Sequence, residues 1–386
     1  MKILICALYG RSGMLHYASE LANSLSKDNE VYVILPDYST TALFSKKIKL
    51  IRINAPASIS KTIILSLNPL NFSRVVNKIK AINPDVIHFT DNHPWYLVFL
   101  PFIKKYPLVV TQHDVVSHPG EMLRGRITNH VNNVLNKVSK RIVVHGKILK
   151  GLLVKKGYPE SKIVVMYIGG YIFFLKGKKK GLKTDKNNIL FFGRILKYKG
   201  VDTLLKAMPI IKQKIPGIKL TIAGEGNMSP YQEYITGEIR DNVEIINRYF
   251  EDNEVAPLFQ KASIIVIPYI EASYSGLILL SYTFKKALIG TNVGTIPEIV
   301  EDGKTGILIP PNNPQILAEK VIELIRDNKK RIMIGRNGYR KIKTFLNWDY
   351  QTKVLMEEYK KIVNENKAED YGLCLSRGKK GISRGI

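Results

Sequence analysis

Along most of this chain, short runs of β-branched and apolar residues alternate with helical patterns, and the alternation is interrupted once and then begins again. The first series reads Ile3–Leu8, a helix over Leu15–Leu25, Val31–Leu35, Leu50–Ile53, Val86–Phe89, Leu108–Thr111 and Ile142–Val144. Near-continuous apolar strands separated by helices specify a parallel sheet covered on both faces, because a strand with one face in water would alternate instead. Between 176 and 186 the sequence KGKKKGLKTDK gathers six lysines and two glycines, too polar and self-repelling to fold alone, so it reads as an exposed linker. The second series then runs Ile189–Phe192, a helix from Val201, Lys219–Ala223, Val243–Ile246, Ile264–Pro268, a helix from Ser275, Leu288–Thr291 and Ile307–Ile309. Over 386 residues this predicts an α/β chain of two Rossmann-like doubly wound domains, 1–170 and 188–347, joined by a lysine-rich linker at 171–187. Two such domains face a central cleft with the carboxyl ends of their strands. An amphipathic helix over 348–366 is placed to pack back on the first domain, and the glycine-rich, basic stretch 367–386 reads as a flexible tail.

Composition narrows the setting. Lys and Arg number 59 against 32 Asp and Glu, a net charge of +27 that favours a polyanionic neighbour such as lipid headgroups, nucleotide phosphates or nucleic acid. Cys6 and Cys374 are the only cysteines, which excludes a disulfide framework and a CxxC metal site. The longest apolar runs, Trp95–Phe102 and Thr62–Leu67, fall far short of the roughly 18 residues that span a bilayer. The opening MKILICALYG reads as a strand entering a glycine turn, not as a signal peptide, and the chain is expected in the cytoplasm.

The turns at strand ends carry the chemistry. Gly10 and Gly13, in Tyr9-Gly10-Arg11-Ser12-Gly13, let backbone amides at a helix start approach an anion. The turn lacks the third glycine of a dinucleotide fingerprint, and Glu30 and Asp37 are poorly placed for a ribose, which counts against an NAD-dependent dehydrogenase. In the second domain, Gly193 and Arg194, then Lys199 and Gly200, put two cations five residues apart in a loop leaving a strand, where they would hold a diphosphate and stabilise it as it leaves. Gly224 and Glu225 end the next strand. Pro268-Tyr269-Ile270-Glu271-Ala272-Ser273-Tyr274-Ser275-Gly276-Leu277 leaves another strand and opens a helix, offering amides and a hydroxyl to phosphate oxygens.

Taken in order from Phe191 to Pro311, and closed by Val293–Val300 and Glu301–Leu308, these segments resemble the family 4 retaining glycosyltransferases, whose fold is GT-B. The resemblance implies that Arg194 and Lys199 contact a donor diphosphate and that the amides of Gly276 and Leu277 cradle it. It also implies no metal and retention of anomeric configuration. One departure stands out. Where the family has two glutamates separated by seven residues, this chain has Ser273 and Ser281, and Glu271 lies two residues early. Ser275, Gly276 and Tyr282 are similar to a branch of the family that starts this helix with Ser-Gly.

In the first domain the strand Leu108–Thr111 leads into Gln112-His113-Asp114, followed by His118-Pro119-Gly120-Glu121. His113 is the acceptor-side candidate, since the resemblance implies a histidine near the reacting sugar, while a loop histidine bonded to backbone with Asp114 as a helix cap is the structural alternative. His88 and His145 read as core histidines. No Asp-x-Asp occurs and no carboxylates cluster with His or Cys at ligand spacing, so no metal and no cofactor are expected beyond a nucleotide-diphosphate sugar as substrate. Lys46, Lys47, Lys49, Arg52, Lys61, Arg74, Lys78 and Lys80 interleave with Ile63, Ile64, Leu65, Leu67, Leu70 and Phe72, with Arg124, Arg126, Lys137, Lys140 and Arg141 extending the same face. This pattern fits peripheral binding to the inner face of an anionic membrane and a lipid-linked or glycan acceptor, as well as an ordinary packed helix. The expected function is transfer from a UDP- or GDP-sugar in cell-surface polysaccharide or glycolipid synthesis. The alternatives are a non-catalytic nucleotide-sugar-binding partner and a basic nucleic-acid-binding protein, the latter without any recognisable nucleic-acid motif.

Overall fold

The structure is a computed structural model that describes residues 1–56, 69–115 and 122–382. The first sheet has seven parallel strands: β1 (Lys2–Cys6), β2 (Glu30–Pro36), β3 (Lys49–Ile53), β4 (Val86–Phe89), β5 (Leu108–Gln112), β6 (Arg141–Val144) and β7 (Ile163–Val165), in the order β3-β2-β1-β4-β5-β6-β7. Around it lie α1 (Ser12–Leu25), α2 (Pro69–Ile82), α3 (Trp95–Ile103), α4 (Met122–Val138) and α5 (Lys147–Lys155). Residues of β4 and β5 are buried throughout, which explains why their sequences are continuous apolar runs.

The second sheet has six parallel strands: β8 (Asn188–Phe192), β9 (Lys219–Ala223), β10 (Val243–Ile246), β11 (Ile264–Ile267), β12 (Ala287–Thr291) and β13 (Ile307–Ile309), in the order β10-β9-β8-β11-β12-β13. Its helices are α6 (Val201–Lys214), α7 (Asp252–Lys261), α8 (Gly276–Thr283), α9 (Ile296–Ile299), α10 (Pro314–Arg326), α11 (Asn328–Lys343) and the terminal α12 (Trp348–Ile382). Strand order reverses between β1 and β4 in one sheet and between β8 and β11 in the other, and these two crevices are where ligands of such sheets bind.

The two domains share one apolar cluster, which passes from Tyr17 and Val164 through Met166, Ile168, Tyr171 and Phe174 into the second core. The chain crosses back at the start of α12. Trp348 lies so close over Gly169 that a Cβ there would stand 2.5 Å from its ring, and its Nε1 donates to Gly170 O at 3.2 Å. Beyond that point α12 docks on the first domain. Tyr359 is fully buried with its hydroxyl 2.5 Å from His88 Nδ1, and Arg141 meets both Glu358 and Glu365 at 2.8 Å. The helix does not give way to coil near 366 as the composition of 367–386 suggests: it runs to Ile382. Lys140 reaches Glu369 at 2.6 Å, so contact with the first domain extends into the start of that stretch. The short strand β7 is a further addition to the strands read from the sequence. Among the described residues no helix is long and apolar enough to cross a membrane. Lys61, Ile63, Ile64, Leu65, Leu67 and the segment His118–Glu121 lie outside the described residues.

Candidate active site in the interdomain cleft

The cationic wall is built by three loops at the ends of β8, β9 and β11. Leaving β8, Ile195 donates its N–H to Glu225 O at 2.8 Å, which fastens the Arg194 turn to the turn after β9. These turns lie so close that a Cβ on Gly224 would stand 2.0 Å from Gly193 O, and Gly224 has φ of +151°. Only glycine fits both conditions. A 3-10 turn over Lys197–Lys199 follows, and Gly200, at φ of +67°, starts α6 with its α-carbon pressed on β11, where a Cβ would sit 1.9 Å from Pro268 O. The Tyr198 carbonyl accepts from Ile270 N at 2.8 Å, so the Lys199 loop and the loop after β11 move as one. Lys199 Nζ lies 3.8 Å from the centre of the Tyr269 ring and 5.0 Å from that of Tyr198, and among the described residues it makes no ion pair. Arg194 is exposed, and Tyr198 is within electrostatic reach of both cations.

The loop from Pro268 to Ser275 is held from below. Thr291 donates to Tyr269 O at 2.6 Å and Thr295 to Ser273 O at 2.7 Å. Glu271 is exposed, whereas Ser273 and Ser275 are buried to 6% and 3% exposure. Ser275 is the N-cap of α8 in an extended conformation, and its hydroxyl does not cap the helix. Gly276 and Leu277 form the first turn. Gly276 is not required by sterics, since a Cβ there would make an ordinary contact with Tyr171. Ser281 departs from the sequence expectation. It is fully buried on α8, and its hydroxyl donates to Leu277 O at 2.8 Å, the local back-bond that serine makes within helices.

Across the cleft, β1 ends in Tyr9–Gly13. Gly10, at φ of +52°, packs against Pro36 and Ser39, while the space beside Gly13 is open. Asp91, just after β4, accepts from Tyr9 N at 2.9 Å and fixes this turn; burial pushes its carboxyl up to about 6. Arg11 stacks its guanidinium 4.4 Å from the Tyr38 ring centre. His113, after β5, has both ring nitrogens engaged, Nε2 with Thr90 O at 2.9 Å and Nδ1 with His145 Nε2 at 3.0 Å. His145 Nδ1 meets Met166 O at 2.9 Å. Both carbonyls can only accept, so the outer nitrogens carry the protons, and the inner contact gains a hydrogen only when the pair takes up a third proton. Burial opposes that uptake, lowering His145 to about 3 and His113 below its ordinary value. Asp114 is exposed and lies within electrostatic reach of Tyr198 on the opposite wall.

Thus Arg194, Lys199, Glu271, Ser273, Ser275 and the start of α8 come together on one wall, with Gly10, His113 and Asp114 on the other. Asp91 and His145 were not among the sequence candidates. Each ends a strand at the cleft, so the rule that selected His113 would have found both. Two polar contacts bridge the rim, Ser12 Oγ to Tyr249 Oη and His16 Nε2 to Asp252, each at 2.9 Å.

Two tandem doubly wound domains facing a cleft are the architecture of the GT-B class of glycosyltransferase. The family model described as "Glycosyl transferases group 1" matches residues 174–341, and that described as "Glycosyltransferase Family 4" matches residues 11–169. The chain belongs to this family and is a glycosyltransferase. An uncharacterized glycosyltransferase of Methanocaldococcus jannaschii is 25% identical to it over 379 residues, or 91% of this chain and 94% of the relative. Among solved structures, sucrose-phosphate synthase from Thermosynechococcus elongatus superposes with a TM-score of 0.75 at 16% identity, covering 95% of this chain and 100% of that one. The Anabaena HepE protein in complex with UDP-glucose gives 0.70 at 18% identity, over 92% and 99% of the two chains. The likeness to these two is one of fold.

Proposed function

We propose that this glycosyltransferase takes a sugar from a nucleoside diphosphate donor and transfers it, with retention of configuration, to a lipid-linked or glycan acceptor at an anionic membrane surface, in polysaccharide or glycolipid synthesis. One observation carries the donor reading. Arg194 and Lys199 follow β8 and the first turn of α8 follows β11, the two strands between which the second sheet reverses order, and Tyr269 links the two loops, with Lys199 Nζ 3.8 Å from its ring centre and Ser275 Oγ 3.4 Å from its hydroxyl. Two cations and helix-start amides at such a crevice are worth most where negative charge grows, here on the departing diphosphate. The bond from the donor's anomeric carbon to the phosphate oxygen breaks, the acceptor oxygen bonds that carbon on the same face, and the leaving phosphate oxygen takes the acceptor's proton. Arg194 and Lys199 supply the countercharge, so no metal is invoked. His113 shapes the opposite wall, since its nitrogens already serve Thr90 and His145.

The acceptor reading draws on surface charge. Arg74, Lys78 and Lys80 are exposed on α2, which packs against α3, and the end of α3 exposes Phe102 beside Lys104 and Lys105. A basic rim around an apolar side chain suits an anionic interface, and it supports a reading in which the protein works peripherally at the inner face of the cell membrane. The structure of the Anabaena protein with UDP-glucose makes uridine the first base to try. The test is a thermal-shift screen against UDP, GDP, ADP and their sugar conjugates in EDTA. Stabilisation by one nucleotide family is expected. No response to any of them, or a response that requires a divalent metal, refutes the proposal as stated.

A further inference from the structure

The segment Val293–Val300 is not used by the donor site, yet it touches both walls. Gly294, at φ of +52°, presses on the donor loop, where a Cβ would lie 1.7 Å from Ala272 O, and the neighbouring Thr295 donates to Ser273 O at 2.7 Å. Three residues on, Glu298 points the other way, into the first domain. Its carboxylate accepts from Lys147 N at 2.7 Å, from Ile148 N at 2.8 Å and from the Tyr167 hydroxyl at 2.8 Å. Those amides are the first turn of α5, a helix with no acidic residue in that turn and with Gly146 as an N-cap that has no side chain to offer. A Cβ on Gly146 would stand 2.6 Å from Thr295 and 3.0 Å from Glu298, so the approach of the second domain and the missing local cap go together. A helix whose N-cap lacks an acceptor leaves its first amides unsatisfied, and a carboxylate there answers both the amides and the helix dipole. The residue before Gly146 is His145, which contacts His113 at 3.0 Å.

We propose that Glu298 is a positioning residue for sugar transfer: by capping α5 from the other domain, it holds the His145–His113 wall in register with the Tyr269–Ser275 donor loop and makes the assembled pocket depend on domain closure. This rests on the reading of that loop as the donor site. Opening the cleft separates Glu298 from α5 and Tyr167, so the histidine wall, still held by Thr90 and Met166 of its own domain, loses its register with the donor loop in one step, while Arg194 and Lys199 stay on theirs. Donor binding and pocket assembly are therefore separable.

The experiment compares wild type with Glu298→Ala, Glu298→Gln and Tyr167→Phe, measuring kcat, donor KM, and the radius of gyration by small-angle X-ray scattering with and without donor. The alanine variant is expected to lose about tenfold or more in kcat, the cost of a charged hydrogen-bond set, with donor KM changed less than about threefold, and to scatter as a more extended particle. Glutamine keeps one acceptor oxygen and should fall between, as should Tyr167→Phe, which leaves both amide bonds in place. Scattering equal to wild type in the alanine variant, or kcat and donor affinity falling together with no change in shape, overturns the proposal. A wild-type protein that turns over no nucleotide sugar counts against the donor reading alone, because the scattering comparison still tests the coupling.

Discussion

Replacing Lys199 by Ala separates the two things that side chain does. Without a ligand, its ammonium rests 3.8 Å from the Tyr269 ring centre, and its intermediate exposure puts that contact near the weak end of cation–π energies, about 0.5–1 kcal/mol. For a domain of this size such a loss lowers the melting temperature by roughly 1–4 °C. In the proposed transition state the same charge would face a diphosphate gaining a negative charge, where a charge-assisted contact is worth about 1.5–3 kcal/mol, or about ten- to a hundredfold in kcat/KM. Kinetics should therefore suffer far more than folding. Nucleotide release, followed in a coupled assay, gives kcat/KM, and differential scanning fluorimetry gives the melting temperature of the same preparation. Lys199→Arg keeps a charge above the ring but spreads it over a larger plane, and should recover part of the rate. A kcat/KM within about threefold of wild type in the alanine variant would remove Lys199 from the site, because an interaction too weak to reach 1 kcal/mol does not clamp a phosphate.

Two further outcomes follow from the buried groups. Ser281→Ala should leave donor KM and kcat within about twofold, since its hydroxyl serves only its own helix; a tenfold rise in donor KM would show that α8 rearranges on binding. Burial holds His88 at about 3, His93 at about 4 and His145 at about 3, so their share of stability is full above about 6.5 and is lost as pH falls, whereas Asp91 at about 6 and Glu20 at about 7 act in the opposite sense. The histidines outnumber these carboxylates, so the unfolding free energy from urea titrations should drop between pH 6.5 and 4.5 by up to about 1.4 kcal/mol per pH unit, and a value that rises over that range would contradict the burial assigned to the histidines.

What the sequence made legible is what depends on strand ends. Arg194, Lys199, Glu271 and Gly276 all follow apolar runs that had to be strands, and a parallel sheet brings the ends of its strands to one edge, so their meeting needed no knowledge of contacts. The burial of Ser281 was not legible because spacing along a helix does not say which face is free; α8 is buried from Leu277 to Thr283, and the Ser281 hydroxyl donates to Leu277 O of its own helix. The role of His113 was equally hidden, because it turns on which nitrogen meets which carbonyl, and those carbonyls belong to Thr90 and Met166, one after β4 and the other after β7. Glycines in 367–386 argued for coil through a helix cost of about 1 kcal/mol each, but propensity is local, and the contacts that dock α12 on the first domain, such as Lys140 to Glu369, join residues more than two hundred positions apart. The same limit applies to Glu298. Its neighbours in sequence mark a turn, but its partners are the amides of a helix in the other domain, so its consequence becomes visible only when both sheets are folded and facing each other.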